Sequence, residues 1–410
     1  MRARLLAASA VLSLACGACV LVFGMDPLTE RTAADGGTAD DAQSPDPPDG
    51  PAAEPPPCGA DRIALPERPP SSPDVEDGSV SFFMLSTLDL GARPADGRPG
   101  FDLDRQTTVD LADNSCALFT GGDPAETLRR AGDTDGGVDN ATYELLQLLR
   151  YFVRAFDPER IDARLGAGYY GVVLNLARWN GTPSDDDVLV QVIPTIGYWE
   201  KPSDGGAPFW NREARALDFD AGDTLMPDER FRAGSAGSKL ASAAGWINDG
   251  KLVARFDRLT LPVRSSVDDL RPFDLEIADA WLTATVVDAV DGGVATLRDG
   301  ALGGRIHASS FLTQASLVYD DQSDVFLCAQ VTGQTSKYLC DSRDIRSSHC
   351  DDHQKLPCDA LSFGARFEAN AIQQERVGPY RSRLDSDYTQ KGQVPPTQRC
   401  PDLDAALECP

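Results

Sequence analysis

The sequence predicts a mainly β protein: an antiparallel β-sandwich or jelly roll, with one N-terminal amphipathic helix and a disulfide-rich C-terminal tail. Three observations lead there. Short segments alternate apolar and polar residues at hairpin spacing, no strand–helix–strand rhythm appears, and six cysteines fall between Cys328 and Cys409.

SVSFFML (79–85) opens the folded part as a short strand-like run. A helix is expected near 142–156, because Leu145, Leu148, Leu149, Phe152 and Phe156 share one face at helical spacing while Arg150 and Arg154 lie off it. GYYGVVLNLARWNG (168–181) then places Tyr170, Val172, Leu174 and Leu176 on one face and ends in Asn-Gly, which suits a tight reversal. In KLVARFDRLTLPV (251–263) the apolar phase slips by one at Asp257 and Arg258, as a β-bulge would produce. FDLEIADAWLTATVV (273–287) slips likewise: Phe273, Leu275 and Ile277 are followed by Leu282, Ala284 and Val286 in the opposite phase. DGGVATL (291–297) supplies a turn, and HASSFLTQASLVY (307–319) is a second helical patch suited to a sheet edge. The phase slips imply curved sheets, which favours the jelly roll.

The chain of 410 residues is 41% apolar with a net charge of -26, a balance that repels nucleic acid and anionic lipid surfaces and attracts cations. Its start, MRARLLAASAVLSLACGACVLVFG, has the layout of a secretory signal: two arginines, an apolar run, then small residues and cysteines. Residues 26–57 contain no aromatic residue and almost no aliphatic one, too little apolar surface to offset chain entropy. The expected organisation is therefore a signal peptide at 1–18, a disordered acidic linker at 19–57, a β body at 58–324 and a Cys-rich segment packed on it at 325–410.

SLAC (13–16) and CGAC (16–19) each resemble the lipobox of bacterial lipoproteins, without its usual leucine three residues before the cysteine. Of the ten cysteines, cleavage before Cys19 removes Cys16, commits Cys19 to lipid and leaves eight to pair, whereas cleavage before Cys16 strands an odd thiol. With the Asp-, Gly- and Pro-rich tract that follows, the N-terminus is similar to predicted envelope lipoproteins of myxobacterial type. That resemblance implies an outer-membrane lipoprotein, periplasmic or surface-facing, anchored through Cys19, with Val20 rather than Asp after it; it implies no activity. In an oxidising envelope Cys58, Cys116, Cys328, Cys340, Cys350, Cys358, Cys400 and Cys409 read as disulfides whose connectivity stays open.

AGDTDGGVDNAT (131–142) is the sharpest chemical signal. Against an EF-hand-like loop, Asp133, Asp135, Gly136 and Asp139 fall on the third, fifth, sixth and ninth positions, where carboxylates around a glycine bend supply the hard oxygens calcium needs. Ala131 and Thr142 stand where the first and last ligands should be, so Asp102 and Asp104 of GFDLDRQ would have to complete the shell. The bland reading is a turn and a helix N-cap at Asp139 or Asn140. Other motifs fare worse. GAGYYG (166–171) matches a dinucleotide fingerprint but precedes a strand, not a helix. AGSAG around Ser235 lacks the parallel sheet of a nucleophile elbow. HCDDH (349–353) reads as polar loop between disulfides rather than a zinc site, and Glu276 with Asp279 is a weak carboxylate pair. Trp179, Trp199 and Trp210, at polar boundaries, are candidate sugar-stacking residues.

The expected function is a lipid-anchored envelope protein with a non-catalytic binding or structural role, with calcium as a structural ion and a glycan or envelope protein as partner. The alternative is a calcium-assisted hydrolase of extracellular or envelope polysaccharide. No nucleophile, base and transition-state stabiliser fall together in the sequence.

Overall fold

The computed structural model describes residues 63, 65–71, 80–90, 98–118, 123–133, 137–152, 158–166, 168, 171–200, 209–211, 219, 222–235, 237–263, 273–287, 295–316, 319–320, 325–326, 334–352 and 354–381. The signal, Cys19 and the linker lie outside them, as do Cys58, Cys328, Cys400, Cys409 and Asp135.

Eight antiparallel strands close into a barrel, which corrects the expected sandwich or jelly roll. They are β1 (Ser81–Asp89), β2 (Gly171–Ala177), β3 (Asp185–Glu200), β6 (Ala241–Asn248), β7 (Lys251–Val263), β8 (Phe273–Val287), β9 (Thr296–His307) and β12 (Ala360–Ile372). The order around the wall is β2-β1-β12-β9-β8-β7-β6-β3, and β3 pairs back onto β2. Closure rests on β12, which bridges β1 and β9. Beyond the barrel rim, β3 continues between β4 (Phe209–Asn211) and β5 (Thr224–Pro227), and β10 (Tyr319–Asp320) and β11 (Val325–Phe326) form a separate two-stranded ribbon.

The expected phase slips are present and coordinated. Leu252, Ala254 and Phe256 face the apolar interior before the slip in β7, and Leu259, Leu261 and Val263 after it. β8 changes face at the same level, so Phe256 stays opposite Ala280 and Leu259 opposite Ile277. Against β9 the register shifts between Ala278 and Trp281. Asp279 sits in that shift with φ +47°, a left-handed conformation uncommon outside glycine.

Much of the wall is covered on its outside as well. On β12, Leu361, Phe363, Ala365, Phe367 and Ala369 belong to the interior cluster, while Ala360 packs outward with Leu103 and Ile345. Over β1–β3, Phe82, Met84, Val173, Ile193, Tyr198 and Leu225 form a second apolar cluster. Strands buried on both faces read as nearly continuous apolar runs, which hides their period.

Five helices accompany the barrel among the described residues: α1 (Pro124–Ala131), α2 (Ala141–Phe152), α3 (Pro158–Gly166), α4 (Ala308–Ser316) and α5 (Gln334–Asp341). The expected amphipathic helix is α2; Leu145 on its predicted face is buried, and Phe156 lies outside the described residues. The patch at 307–319 forms α4, packed on β8 and β9. Cys116 and Cys358 form a disulfide across 242 residues, fastening the outer layer to the chain just before β12; Cys340 and Cys350 are also oxidised. Residues 360–372, expected within a segment packed on the body, are a strand of the wall itself. No described helix is long and apolar enough to cross a membrane.

Candidate metal centre

A layer formed by residues 98–118, the start of α2 and residues 343–346 lies over β12 and β9. Gly364 permits its close approach: a Cβ there would come within 2.6 Å of Gly100 Cα, and it would also collide with the Pro99 carbonyl. Asn140 ties the layer down, donating through Nδ2 to Pro99 O (2.7 Å) and Gly364 O (3.2 Å). Its Oδ1 accepts from Thr142 Oγ1 and Tyr143 N, so Asn140 is the N-cap of α2, one of the two residues expected in that role. Ala141 N donates to Ser362 Oγ (2.7 Å), and Ser362 N donates to buried Asp344 (2.8 Å).

Within this layer the fold brings together the two acidic stretches that the sequence set apart. Phe101 and Asp139 form an isolated β-bridge. Asp139, 3% exposed, accepts from Leu103 N (2.5 Å) and Asp104 N (3.3 Å) through Oδ2. That folds 102–106 into a tight turn, closed by Gln106 N donating to Asp104 (2.8 Å). One carboxylate oxygen from each of Asp102, Asp104 and Asp139 lies within 4.8 Å of the others. Asp133 accepts from Thr108 N (2.5 Å) and shares a hydrogen bond with Asp139.

The electrostatics follow from burial and like charge. Burial, then the charges of Asp104, Asp133 and Asp344, push the Asp139 carboxyl well above its usual range. Burial likewise raises Asp133, and burial with Asp104 and Asp133 raises Asp102 to about 6. Asp344 is pushed to about 7 by burial, partly offset by its bonds from Ser362. Two buried side-chain oxygens, Asp102 Oδ1 and Gln106 Oε1, receive no hydrogen bond. Such a group either keeps protons above their normal range or accepts a hard cation. The arrangement draws on two chain segments rather than one EF-hand-like loop. Gln106 is a candidate oxygen that the sequence reading passed over, although Asp102, Asp104 and Gln106 alternate as the first, third and fifth ligands of a calcium loop do.

The tryptophans do not share one surface. Trp179 is 7% exposed and donates Nε1 to Thr182 O (3.0 Å), covering the turn after β2. Trp199 lies about ten residues further along β3 than the Leu189 that pairs beside that turn, roughly 33 Å of strand. There it stands directly opposite Trp210 on β4, with the Arg381 guanidinium 5.5 Å from its ring centre.

A second buried charge network sits on the outer face of β8 and β9. Arg305 is fully buried, pairs both arms with Asp352 (2.8 Å each) and donates to Leu103 O (2.9 Å) and Arg346 O (2.8 Å). Asp279 accepts from Arg255 (2.9 Å), with His349 Nδ1 3.5 Å away. Of the HCDDH residues, Asp352 is thus engaged by Arg305 and Cys350 is oxidised, which leaves neither of them open to zinc, and His353 lies outside the described residues. Comparison of the chain with protein families, curated proteins and solved structures returned no match.

Proposed function

We propose that this is a lipid-anchored envelope protein with a non-catalytic role, in which calcium clasps the outer layer onto a closed β-barrel. The observation that carries the proposal is the convergence of Asp102, Asp104 and Asp139 within 4.8 Å. The buried Asp102 Oδ1, which no donor reaches, supports a cation there. Calcium would sit between the 102–106 turn and the residues leading into α2, adding to the hydrogen bonds that already join these segments through Asp139, Asp133 and Asn140. Asp102, Asp104, Asp139 and Asp133 would be its carboxylate ligands, with Gln106 Oε1 as a neutral one. Trp179 is buried over its own turn, which leaves Trp199 as the residue for glycan contact. The hydrolase alternative has no comparable observation behind it among the described residues.

Calorimetric titration of the purified protein with calcium after EDTA treatment tests the clasp. One saturable site is expected, and Asp104→Asn should abolish it. Absence of binding heat together with unchanged melting would overturn it. Mass spectrometry of the mature protein tests the anchor, which requires a diacyl or triacyl modification on Cys19.

A further inference from the structure

We infer that the Cys116–Cys358 disulfide is a redox latch, whose reduction frees residues 98–118 from the barrel wall while the barrel itself stays closed. The latch acts whether or not calcium is bound. No described side chain of 98–118 belongs to the apolar cluster that fills the barrel. The segment rests on the outside instead, where Leu103 shares a small cluster with Ile345 and Ala360, and Phe101 lies over Gly303, at which a Cβ would come within 2.6 Å of its ring. Further ties are polar: Leu103 O accepts from Arg305, Thr108 N donates to Asp133, and Pro99 O accepts from Asn140. A layer docked in this way opens locally at a smaller cost than the core beneath it.

The disulfide keeps that docking intramolecular over a short span, because Cys358 lies two residues before β12. Beside it the backbone link is short: Ala117 N donates to Leu356 O (2.8 Å) and Cys358 N to Ala117 O (3.1 Å). Lys355 Nζ adds bonds to Ala112 O (3.1 Å) and Asn114 O (2.5 Å). These contacts lie at an exposed edge and are what holds this end of the segment once the S–S bond is cut. The sulfur-bearing residues are 2% and 3% exposed, yet neighbouring Ala117 and Pro357 are exposed, so a small displacement admits a small reductant. Asn114 Nδ2 lies 3.3 Å and 3.6 Å from the two sulfurs and can donate to the thiolate that leaves. It also donates to Asp344 O (2.8 Å), while Asn114 Oδ1 accepts from Thr108 Oγ1 (3.1 Å), so a change at the sulfurs reaches the Thr108–Asp133 contact through one side chain. A dithiol supplies the two electrons. One of its thiolates attacks a sulfur and expels the other as thiolate; its second thiolate then displaces the first, so the reductant leaves as a cyclic disulfide and both cysteines end as thiols carrying its protons.

Hydrogen exchange of the whole protein in EDTA, read by mass spectrometry, tests the latch with Cys116→Ser/Cys358→Ser, which leaves the oxidised Cys340 and Cys350 untouched. The amides of Leu103, Asp104 and Thr108, each held by a carboxylate in the docked layer, should exchange about tenfold faster or more than in the wild type, with those of β7 and β8 unchanged. Wild-type protein treated with a small dithiol and then alkylated should be labelled on Cys116 and Cys358 and show the same pattern. Equal exchange of 98–118 in variant and wild type would overturn the latch. So would an equal acceleration in β7 and β8, or a variant that does not fold, since either outcome means that the bond holds the barrel rather than the layer. A pair that resists the dithiol until the barrel unfolds would overturn its redox role.

Discussion

Withdrawing calcium from the clasp should lower the melting temperature by a few degrees, and the amount follows from linkage. A ligand bound only by the folded state, at a free concentration about 100 times its Kd, stabilises it by about 2.7 kcal/mol. The described body runs from Val80 to Arg381, roughly 300 residues. At about 2.1 cal/mol/K per residue its unfolding entropy is about 0.6 kcal/mol/K, so the shift is about 4 °C. Differential scanning calorimetry at saturating calcium and in EDTA measures it. Asp104→Asn sharpens the test because it removes a ligand and a like charge together. Its melting temperature in EDTA should equal or exceed that of the wild type, while its calcium shift disappears. A wild-type melting temperature that is the same in calcium and EDTA would refute the reasoning, as would an Asp104→Asn variant that keeps the shift.

Three further outcomes follow from the same layer. In EDTA, stability should fall as pH rises from about 4 through 7. Asp102 and Asp344 keep protons to about 6 and about 7 in the folded state, so the folded protein binds more protons than the unfolded chain across that window. Calcium affinity should rise over the same range as protons leave, and a flat melting profile from pH 4 to 7 in EDTA would contradict the assignment. Gly364→Ala sets a methyl against the Pro99 carbonyl and Gly100 Cα; thermal denaturation should show a loss of about 3 kcal/mol or more together with weaker calcium binding, because the displaced segment carries Asp102 and Asp104. Arg305→Met strands buried Asp352 and should cost about 3–5 kcal/mol by chemical denaturation, most of it recovered when Asp352→Leu is added.

The sequence reveals the strands of this protein better than their closure. Alternation and matched phase slips identify β2, β7 and β8 because those runs keep a visible period. The same slips serve a curved sandwich or a barrel, and the choice depends on β12 pairing with β1 across roughly 280 residues, which no local pattern encodes. β12 itself carries a readable alternation in Leu361, Phe363, Ala365 and Phe367, but it lies among cysteines that draw attention to crosslinking. β3 hides for another reason: it starts with three aspartates and contains Pro194, yet it is buried on both faces over much of its length. The acidic cluster is legible as two Asp-rich stretches. Their juxtaposition is not, since it depends on Asn140 and on the missing side chain at Gly364. Trp179 misleads because Asn-Gly beside it suggests exposure, whereas a large ring closing the end of a hairpin is buried by its own turn.

The place of β12 also dictates when the molecule can finish folding. It is the final strand of the wall, yet it sits between the first strand and β9. Hairpins from β6 to β9 can form as soon as each is made, but β1 waits on one side for a neighbour that arrives last. The outer layer waits with it, since Pro99, Gly100 and Asn140 dock on Gly364. Contacts so distant in sequence make closure slow compared with hairpin formation. Until then β1 and β9 each expose an unpaired edge, so a chain cut short before residue 360 should aggregate rather than fold.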